Sequence, residues 1–313
     1  MKNIASYILL ALIVLAQTSC VKDPLEDIQD GSWNNERSVI NIKFENQVGQ
    51  AEIHRIDETK GEINITINVS AVPDLSQIAL QSLQTSFGAT ASVQVGDALN
   101  FENDSQTSTL TVTSPTGKTR DYTLKVESFE ETLLGTYKIT DLMVWGGTGP
   151  EYGGGAVLSM VSKPWIWPET GGPAAELDNT LTFEMEGITE EGNTYGKIIN
   201  NAGDDGLYAD FQYVGDPATD VNHFYRTVPK TNGTWERNYA LGQLVFTFED
   251  GTKVIGEFVG AGTEDLGFDK TKATTDFALA FNLNGTDDWD KIYSDYDKFV
   301  KKPRRYWIDL QKQ

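Results

Sequence analysis

Short runs in which apolar and polar residues alternate begin at Ser38 and recur through the rest of the chain. Because successive side chains of a β-strand point to opposite faces, this alternation is typical of strands with one buried face. Ile40, Ile42 and Phe44 are expected to share one such face. Proline and glycine in residues 114–117 separate two later alternating runs, which favours a hairpin. Residues 38–129 are therefore predicted to form a β-sandwich.

Residues 130–313 are richer in Gly, Asp and Trp and are predicted to form a second, larger β-domain. One helix is expected before its last strand, because apolar residues recur at helical spacing from Trp289 to Val300 and Pro303 follows them. Trp289 is expected in the core. The predicted fold class is thus all-β, and a closed barrel and a jelly-roll sandwich both fit the second domain. Its strand candidates are residues 136–145, 156–162, 179–186, 194–200, 207–214, 243–249, 253–259, 277–283 and 304–311.

The start of this second domain carries a short motif. Residues 133–138, Leu-Leu-Gly-Thr-Tyr-Lys, resemble the opening strand of lipocalin-like domains, which often have Gly-x-Trp there. Tyr137 stands in the place of the Trp. The resemblance implies that Arg304 or Arg305 is the late basic residue of such barrels. The barrel and the jelly roll both stay open as alternatives.

The first twenty residues decide the predicted compartment. An apolar run over residues 7–16 is too short to span a hydrocarbon core of about 30 Å, which indicates a signal peptide over residues 1–20. Thr18 and Ser19 directly precede Cys20, the one cysteine of the chain. This arrangement resembles the lipobox of bacterial lipoproteins, which implies that Cys20 becomes the N-terminus and carries acyl chains such as palmitate. No disulfide is expected in the mature chain.

Two further resemblances concern the surface of Bacteroidetes cells. Residues 21–27, acidic with one lysine, resemble the export signal of Bacteroidetes surface lipoproteins, and residues 21–37 are predicted to be a flexible tether. Segments similar to the Ig-like modules of those proteins occur at 73–76, 87–92, 100–101 and 110–126. The resemblance implies an Ig-like spacer over 38–129, a surface glycan-binding type of protein, and a lipid anchor on the exterior of the cell outer membrane.

Charge and residue inventory exclude several functions. The chain has 25 Lys and Arg against 46 Asp and Glu, for a formal net charge of −21. Nucleic-acid affinity comes mainly from cations on phosphates, so no nucleic-acid partner is expected. His54 and His223 are the two histidines, and with no cysteine beyond Cys20 they give neither a nucleophile motif nor a zinc motif.

Carboxylates could form a catalytic pair or a calcium site. Glu184 and Glu186 would share one face of a strand, and we expect that face to be solvated, so no catalytic pair is assigned. Asp204, Asp205 and Asp210 cluster near two glycines, and a structural calcium site stays open there as an alternative to ordinary turns. No other metal and no cofactor is expected.

The tryptophans are the stronger candidates for a ligand-binding site. Trp165 and Trp167 lie between Pro164 and Pro168, and in an extended segment both rings would point the same way. They would then form a flat platform for the C–H faces of sugar rings, with core packing as the alternative. Further ligand-binding candidates are Trp145, Trp235 and Trp307. Core packing is the favoured interpretation for Trp145 and Trp235, and Trp307 is expected to face outward.

The sequence therefore predicts a surface lipoprotein that binds a polysaccharide or oligosaccharide without catalysis, for uptake or degradation by a partner transporter or hydrolase. Two alternatives stay open. One is a surface glycosidase or lyase that uses carboxylates distant in sequence. The other is a lipocalin-like binder that holds a small apolar ligand inside a barrel.

Overall fold

The computed structural model of the protein describes residues 33–69, 72 and 74–313. The predicted signal peptide, Cys20 and most of the predicted tether lie outside these residues. Within the described part, no helix has the length and apolar character needed to cross a membrane. The described residues form two compact units. The first comprises residues up to Glu45, Ala51–Ile65 and Val72–Glu127, and the second comprises Asn46–Gln50, Thr66–Ala71 and Ser128–Gln313.

The first unit is a sandwich of two antiparallel sheets, ordered β1-β4-β6 and β2-β3-β8-β7-β5. The strands are β1 (Val39–Phe44), β2 (Glu52–Arg55), β3 (Lys60–Ile67), β4 (Ile78–Thr85), β5 (Thr90–Ala91), β6 (Ala98–Leu99), β7 (Thr107–Thr113) and β8 (Thr119–Ser128). The two sheets meet where the Val39 amide of β1 donates to the Tyr122 hydroxyl of β8 at 3.2 Å. The rings of Phe44 and Phe101 pack edge to face at 5.9 Å. The predicted sandwich is confirmed.

The expected shared face of β1 is wrong at its first position. Ile42 and Phe44 are buried, but Ile40 is exposed. The register of β1 against β4 shifts between Val39 and Asn41. An irregularity of this kind changes which side chains face the core, and here Val39 is buried in place of Ile40.

The second unit is built around a closed antiparallel barrel of eight strands, ordered β9-β11-β12-β15-β16-β17-β18-β19, with β19 pairing back to β9. Its all-β class is confirmed, and of the two architectures left open the barrel is the one observed. The strands of this unit are β9 (Gly135–Gly146), β10 (Ala156–Ser159), β11 (Thr180–Ile188), β12 (Thr194–Asn201), β13 (Gln212–Tyr213), β14 (Thr219–Asp220), β15 (Asn232–Asn238), β16 (Gln243–Thr247), β17 (Lys253–Asp265), β18 (Thr271–Asn282) and β19 (Pro303–Lys312).

Aromatic side chains fill the interior of the barrel. Phe183, Trp235, Phe246, Phe281 and Tyr306 come from five different strands and are almost completely buried. Their ring centres lie 6.5 Å apart for Phe183 and Trp235, 6.0 Å for Phe246 and Phe281, and 6.1 Å for Phe281 and Tyr306. An eight-stranded barrel is just wide enough for side chains to fill it, and these residues do so.

The two ends of the barrel differ. Because neighbouring strands are antiparallel, the connections β9–β11, β12–β15 and β18–β19 emerge at the same end, here called the long-loop end. The turns β11–β12, β15–β16 and β17–β18 emerge at the opposite, hairpin end. The long connections contain the 3-10 helices Pro150–Tyr152, Met160–Ser162, Pro164–Ile166, Pro173–Glu176 and Trp289–Lys291, the α-helix Asn222–Tyr225 and the π-helix Asp297–Lys301.

The helical segment before the last strand differs from the expected continuous helix. A 3-10 turn at Trp289–Lys291 is separated from the π-helix Asp297–Lys301 by Tyr293, whose φ is 76°. That left-handed conformation interrupts a right-handed helix. Phe299 and Val300 are buried as expected, but Trp289 is exposed and the prediction that it lies in the core is wrong.

Neither Arg304 nor Arg305 is the basic residue over Tyr137. Arg304 donates through Nε to the Gly147 carbonyl at 3.0 Å, and Arg305 pairs with Glu257 at 3.0 Å on the outer wall. The cation above the Tyr137 ring is Lys312, whose Nζ lies 5.5 Å from the ring centre. Lys312 belongs to the last strand, so a late basic residue does contact the opening strand.

Candidate functional site

The connection from β10 to β11 crosses the long-loop end in a series of tight turns. Proline stands at the first position of two of its 3-10 helices, Pro164–Ile166 and Pro173–Glu176. Proline suits that position because its fixed φ matches the helix and its missing N–H would be unpaired there. The segment from Pro164 is therefore helical, and it is not the extended segment in which both rings would point the same way.

Trp167 anchors this segment in the core. Its side chain is only 4% exposed, and Nε1 donates to the Met160 carbonyl at 3.0 Å. Its ring packs edge to face against Tyr213, Tyr225 and Phe299, with centre distances of 6.3, 6.4 and 5.7 Å. Such pairs add stability beyond the area they bury. Trp167 thus holds the loop down and offers no open ring face to a ligand.

Trp165 is placed in the opposite way. It is 65% exposed, and Lys163 Nζ lies 5.3 Å from its ring centre. The helical turn sends the two tryptophans to different environments, so the predicted flat pair does not form. A single exposed indole ring remains.

Both tryptophans line a cleft of about 570 Å³. One wall consists of the β10–β11 connection, including Pro168, and the other includes Leu207 from the β12–β15 connection. The carboxylates of Glu169 and Asp205 supply its charge. The remaining lining residues are Val161, Pro164, Thr170, Gly171, Gly172, Pro173, Ala174 and Ala175. A volume of this size is within the range of about 300–1,000 Å³ typical of small-molecule sites.

A buried ion pair holds the two walls together. Glu176 Oε1 lies 2.9 Å from Arg226 Nη1 and accepts the Ala209 amide at 2.9 Å. Its second oxygen accepts the Asn179 side-chain amide at 2.8 Å, and that amide also reaches the Leu207 carbonyl at 3.3 Å. The Asp210 amide adds a 2.6 Å bond to the Gly171 carbonyl. The bonds to the Glu176 carboxylate are charge-assisted and therefore strong, so the walls are well fixed.

The other predicted ligand-binding tryptophans are buried away from the cleft. Trp235 lies in the middle of β15, inside the barrel, and its Nε1 donates to the Glu184 and Lys197 carbonyls at 3.1 and 3.0 Å. Trp145 and Trp307 form a small cluster on the outer wall with Ala278 and Ala280. None of the three presents an open ring face.

For Trp307 the alternation pattern predicts the direction of the side chain but not its burial. It points away from the interior residue Tyr306, as expected, but it is fully buried. Its Nε1 donates to Glu264 at 3.2 Å, and the Arg305 guanidinium lies 5.7 Å from its ring centre. The long β17–β18 hairpin supplies Glu264 and Leu266 over it.

The aspartates considered for calcium take part in hydrogen bonds within the loops. Asp205 accepts the Leu207 amide at 2.7 Å and Asp210 accepts the Asn222 side-chain amide at 2.7 Å. Asp204 is exposed, and its own amide donates to Asp178 at 2.8 Å. In the described part of the chain, no group of three or more His, Cys, Asp or Glu side chains is arranged to hold a metal ion.

Glu184 and Glu186 are exposed on β11, and Lys197 pairs with Glu186 at 3.0 Å. The solvated face expected for this pair is what the structure shows. The cleft carboxylates are Glu169 and Asp205 instead. Sequence reasoning missed Glu169 and Leu207, because the two walls are distant in sequence and no spacing pattern joins them.

Neither the protein-family models nor the curated proteins include a match to this chain. Among solved structures, the chain is similar to a protein of Bacteroides fragilis NCTC 9343 that is inferred to be secreted. The likeness covers 31% of this chain and 98% of that chain, with 13% sequence identity and a TM-score of 0.23.

Proposed function

We propose that the protein is a lipid-anchored protein of the outer cell surface that binds an extracellular polysaccharide without catalysis. The observation that carries the proposal is the exposed ring of Trp165 at the edge of a rigid cleft that also contains carboxylates. The bound polymer would be passed to a partner transporter or hydrolase. Acylation of Cys20, which lies outside the described residues, would provide the anchor.

The chemistry of the cleft suits a sugar. The C–H faces of a pyranose ring are apolar, and an exposed indole gives them a flat surface from which water is released. The carboxylates of Glu169 and Asp205 accept hydrogen bonds from hydroxyl groups, and bonds to ionised groups are the stronger ones. The prolines and Leu207 add apolar edges. The combination of an apolar surface with a few polar groups is the usual composition of a ligand site.

Gel retardation and calorimetry against purified polysaccharides test this proposal. We expect Trp165→Ala to weaken the binding of whichever polymer retards the wild type by at least about tenfold, which corresponds to 1.4 kcal/mol. Phe268→Ala is the matched control, because Phe268 is also exposed (54%) but lies in the hairpin at the other end of the barrel. Binding that survives Trp165→Ala, or that falls equally in Phe268→Ala, would contradict the assignment.

A hydrolase or lyase is the second candidate, because Glu169 and Asp205 line one cleft and glycoside hydrolysis uses two carboxylates. Release of reducing ends from a retarded polymer would support it, provided that Glu169→Gln abolishes the release. The third alternative, a small apolar ligand inside the barrel, is disfavoured by the aromatic side chains that fill the interior.

A further inference from the structure

A second group of exposed aromatic residues lies at the long-loop end. Tyr152 is 66% exposed, Trp289 is 56% exposed and Tyr293 is 58% exposed. Tyr152 belongs to the β9–β10 connection, and the other two belong to the β18–β19 connection. Large apolar side chains that cluster on a surface, rather than occurring singly, mark binding sites. We name these three residues the second aromatic site.

Contacts between the two connections fix the rings of this site. The Tyr293 hydroxyl donates to the Tyr152 carbonyl at 3.1 Å, and the rings of Tyr152 and Trp289 meet at 6.1 Å with their planes 61° apart. The Trp289 ring also covers Gly149, where a Cβ would come within 3.0 Å of it. Tyr293 has a φ of 76°, which is unusual for a residue with a side chain.

The base of the second aromatic site is rigid. The carboxylate of Asp297 is completely buried and accepts both the amide and the hydroxyl of Thr148 at 2.7 Å. The Thr148 hydroxyl oxygen in turn accepts the Asp288 amide at 2.7 Å. This network ties the residues before Tyr152 to those before Trp289. The rings are therefore held in place before any ligand arrives, which lowers the ordering cost of binding.

Lys163 connects the second aromatic site to the cleft. Its Nζ lies 5.3 Å from the Trp165 ring centre and 3.1 Å from Asp295 Oδ1. Asp295 follows Tyr293 by two residues, and the Tyr293 carbonyl is a hydrogen-bond acceptor of Lys298 Nζ. Lys163 thus links Trp165 to the β18–β19 connection, which also contains Tyr293. Both aromatic sites lie on connections of the long-loop end.

We propose that the two sites bind one extended, uncharged glycan chain, which stacks on Trp165 and again on the second aromatic site. This inference rests on the proposed function and adds the length and charge of its ligand. A chain that reaches both sites gains the second contact as an intramolecular event, so its affinity exceeds that of a short oligosaccharide at either site alone.

Charge restricts the class of glycan. Glu169 and Asp205 line the cleft, Glu151 and Asp290 flank the second aromatic site, and Lys163 between the sites is already paired with Asp295. Together with the net charge of −21, these acids repel a uronic acid or sulfated polymer. Hydroxyl groups of an uncharged glycan can donate to the same carboxylates.

The test uses the full chain in affinity electrophoresis with a β-1,3-glucan, an α-1,4-glucan, a β-1,4-galactomannan and a β-1,4-xylan, with alginate and polygalacturonate as anionic polymers. The polymer that retards the wild type is then compared by calorimetry with its own oligosaccharides of two to ten sugars. The variants are Trp165→Ala, Trp289→Ala, Tyr152→Ala and the control Phe268→Ala. Tyr152→Ala provides an independent test of the second aromatic site if Trp289→Ala does not fold.

We expect Trp289→Ala and Tyr152→Ala to weaken polymer binding at least about tenfold. They should leave binding of the shortest oligosaccharide unchanged, whereas Trp165→Ala weakens both. If Trp165→Ala weakens polymer binding while Trp289→Ala and Tyr152→Ala do not, the inference is overturned and the proposed function is not. Retardation by the anionic polymers would overturn its charge restriction. Failure of every polymer to retard the wild type would overturn both the inference and the proposed function.

Discussion

Trp165 and Trp167 allow a sharp test because they are two residues apart and differ in burial. Trp167 is 96% buried, and a tryptophan buries up to about 250 Å². At about 25 cal/mol per Å², its burial contributes ~6 kcal/mol as an upper bound. Measured core replacements of this type cost about 3–5 kcal/mol. For a unit of this size each kcal/mol lowers the melting temperature by about 2–4 °C, so we expect Trp167→Ala to lower it by at least about 6 °C.

Trp165 buries only the remaining third of its surface, which gives an upper bound of ~2 kcal/mol by the same coefficient. Compact unfolded chains already bury part of that surface, so we expect Trp165→Ala to cost about 1 kcal/mol. Differential scanning calorimetry of both variants beside the wild type gives the comparison. Equal losses of melting temperature would refute the assignment of one ring to the core and the other to the ligand. So would a stable Trp167→Ala variant.

Three further predictions concern the anchor, the independence of the second unit and its response to acid. Cys20→Ala should move the protein from the membrane fraction to the soluble fraction without changing its circular dichroism spectrum, and membrane retention would contradict the anchor. A fragment of residues 130–313 contains the whole barrel and should melt cooperatively and bind the polymer, while binding by residues 37–129 would reverse the roles of the two units. Burial alone raises the pKa of Glu131, but hydrogen bonds from Thr194 and Tyr239 and the charge of Arg237 outweigh it, so the net pKa is lowered. The stabilisation from Glu131 is therefore present above pH 4.5 and lost as the pH falls through the lower folded value. The melting temperature of the wild type should then fall more steeply below pH 4.5 than that of Glu131→Gln, and parallel curves would refute this.

The fold was largely predictable because period-2 alternation reports directly on a half-buried strand. The strand candidates at 136–145, 194–200 and 304–311 match β9, β12 and β19 closely. By contrast, β15 was missed, because Asn232–Asn238 has polar residues on both sides of Trp235 and begins with an Asn-Gly pair typical of turns. Pairing with β12 and β16 overrides that local preference.

Barrel closure was not predictable from the same pattern. A jelly-roll sandwich and a barrel present the same alternation along each strand, and they differ in which strands pair with one another. That pairing joins β19 to β9, which are more than 150 residues apart, over most of their length. No local signal in either strand specifies it.

For the candidate site, the sequence predicts the loop but not which of its two tryptophans is exposed. Tryptophans bracketed by prolines do indicate a loop, and Trp165 is exposed in that loop. Which of two neighbouring rings faces solvent depends on the helical turn at Pro164–Ile166 and on the ring-lined space that receives Trp167. In the β18–β19 connection the helical spacing of residues 289–300 suggested a buried stripe, and the left-handed Tyr293 breaks it.

The same break connects the fold to the proposed function. A continuous helix over residues 289–300 would place Trp289 and Tyr293 one above the other on its buried face, because residues four apart lie on the same side. The observed interruption leaves Phe299 and Val300 in the core and frees Trp289 and Tyr293 for the surface. A variant that restores helical spacing should therefore lose polymer binding rather than gain it. Tyr293→Ala disfavours the left-handed conformation and Tyr293→Gly accommodates it, while both variants lose the same ring. Weaker polymer retardation of Tyr293→Ala than of Tyr293→Gly, with unchanged circular dichroism spectra, would support a role of the break in binding, and equal retardation would contradict it.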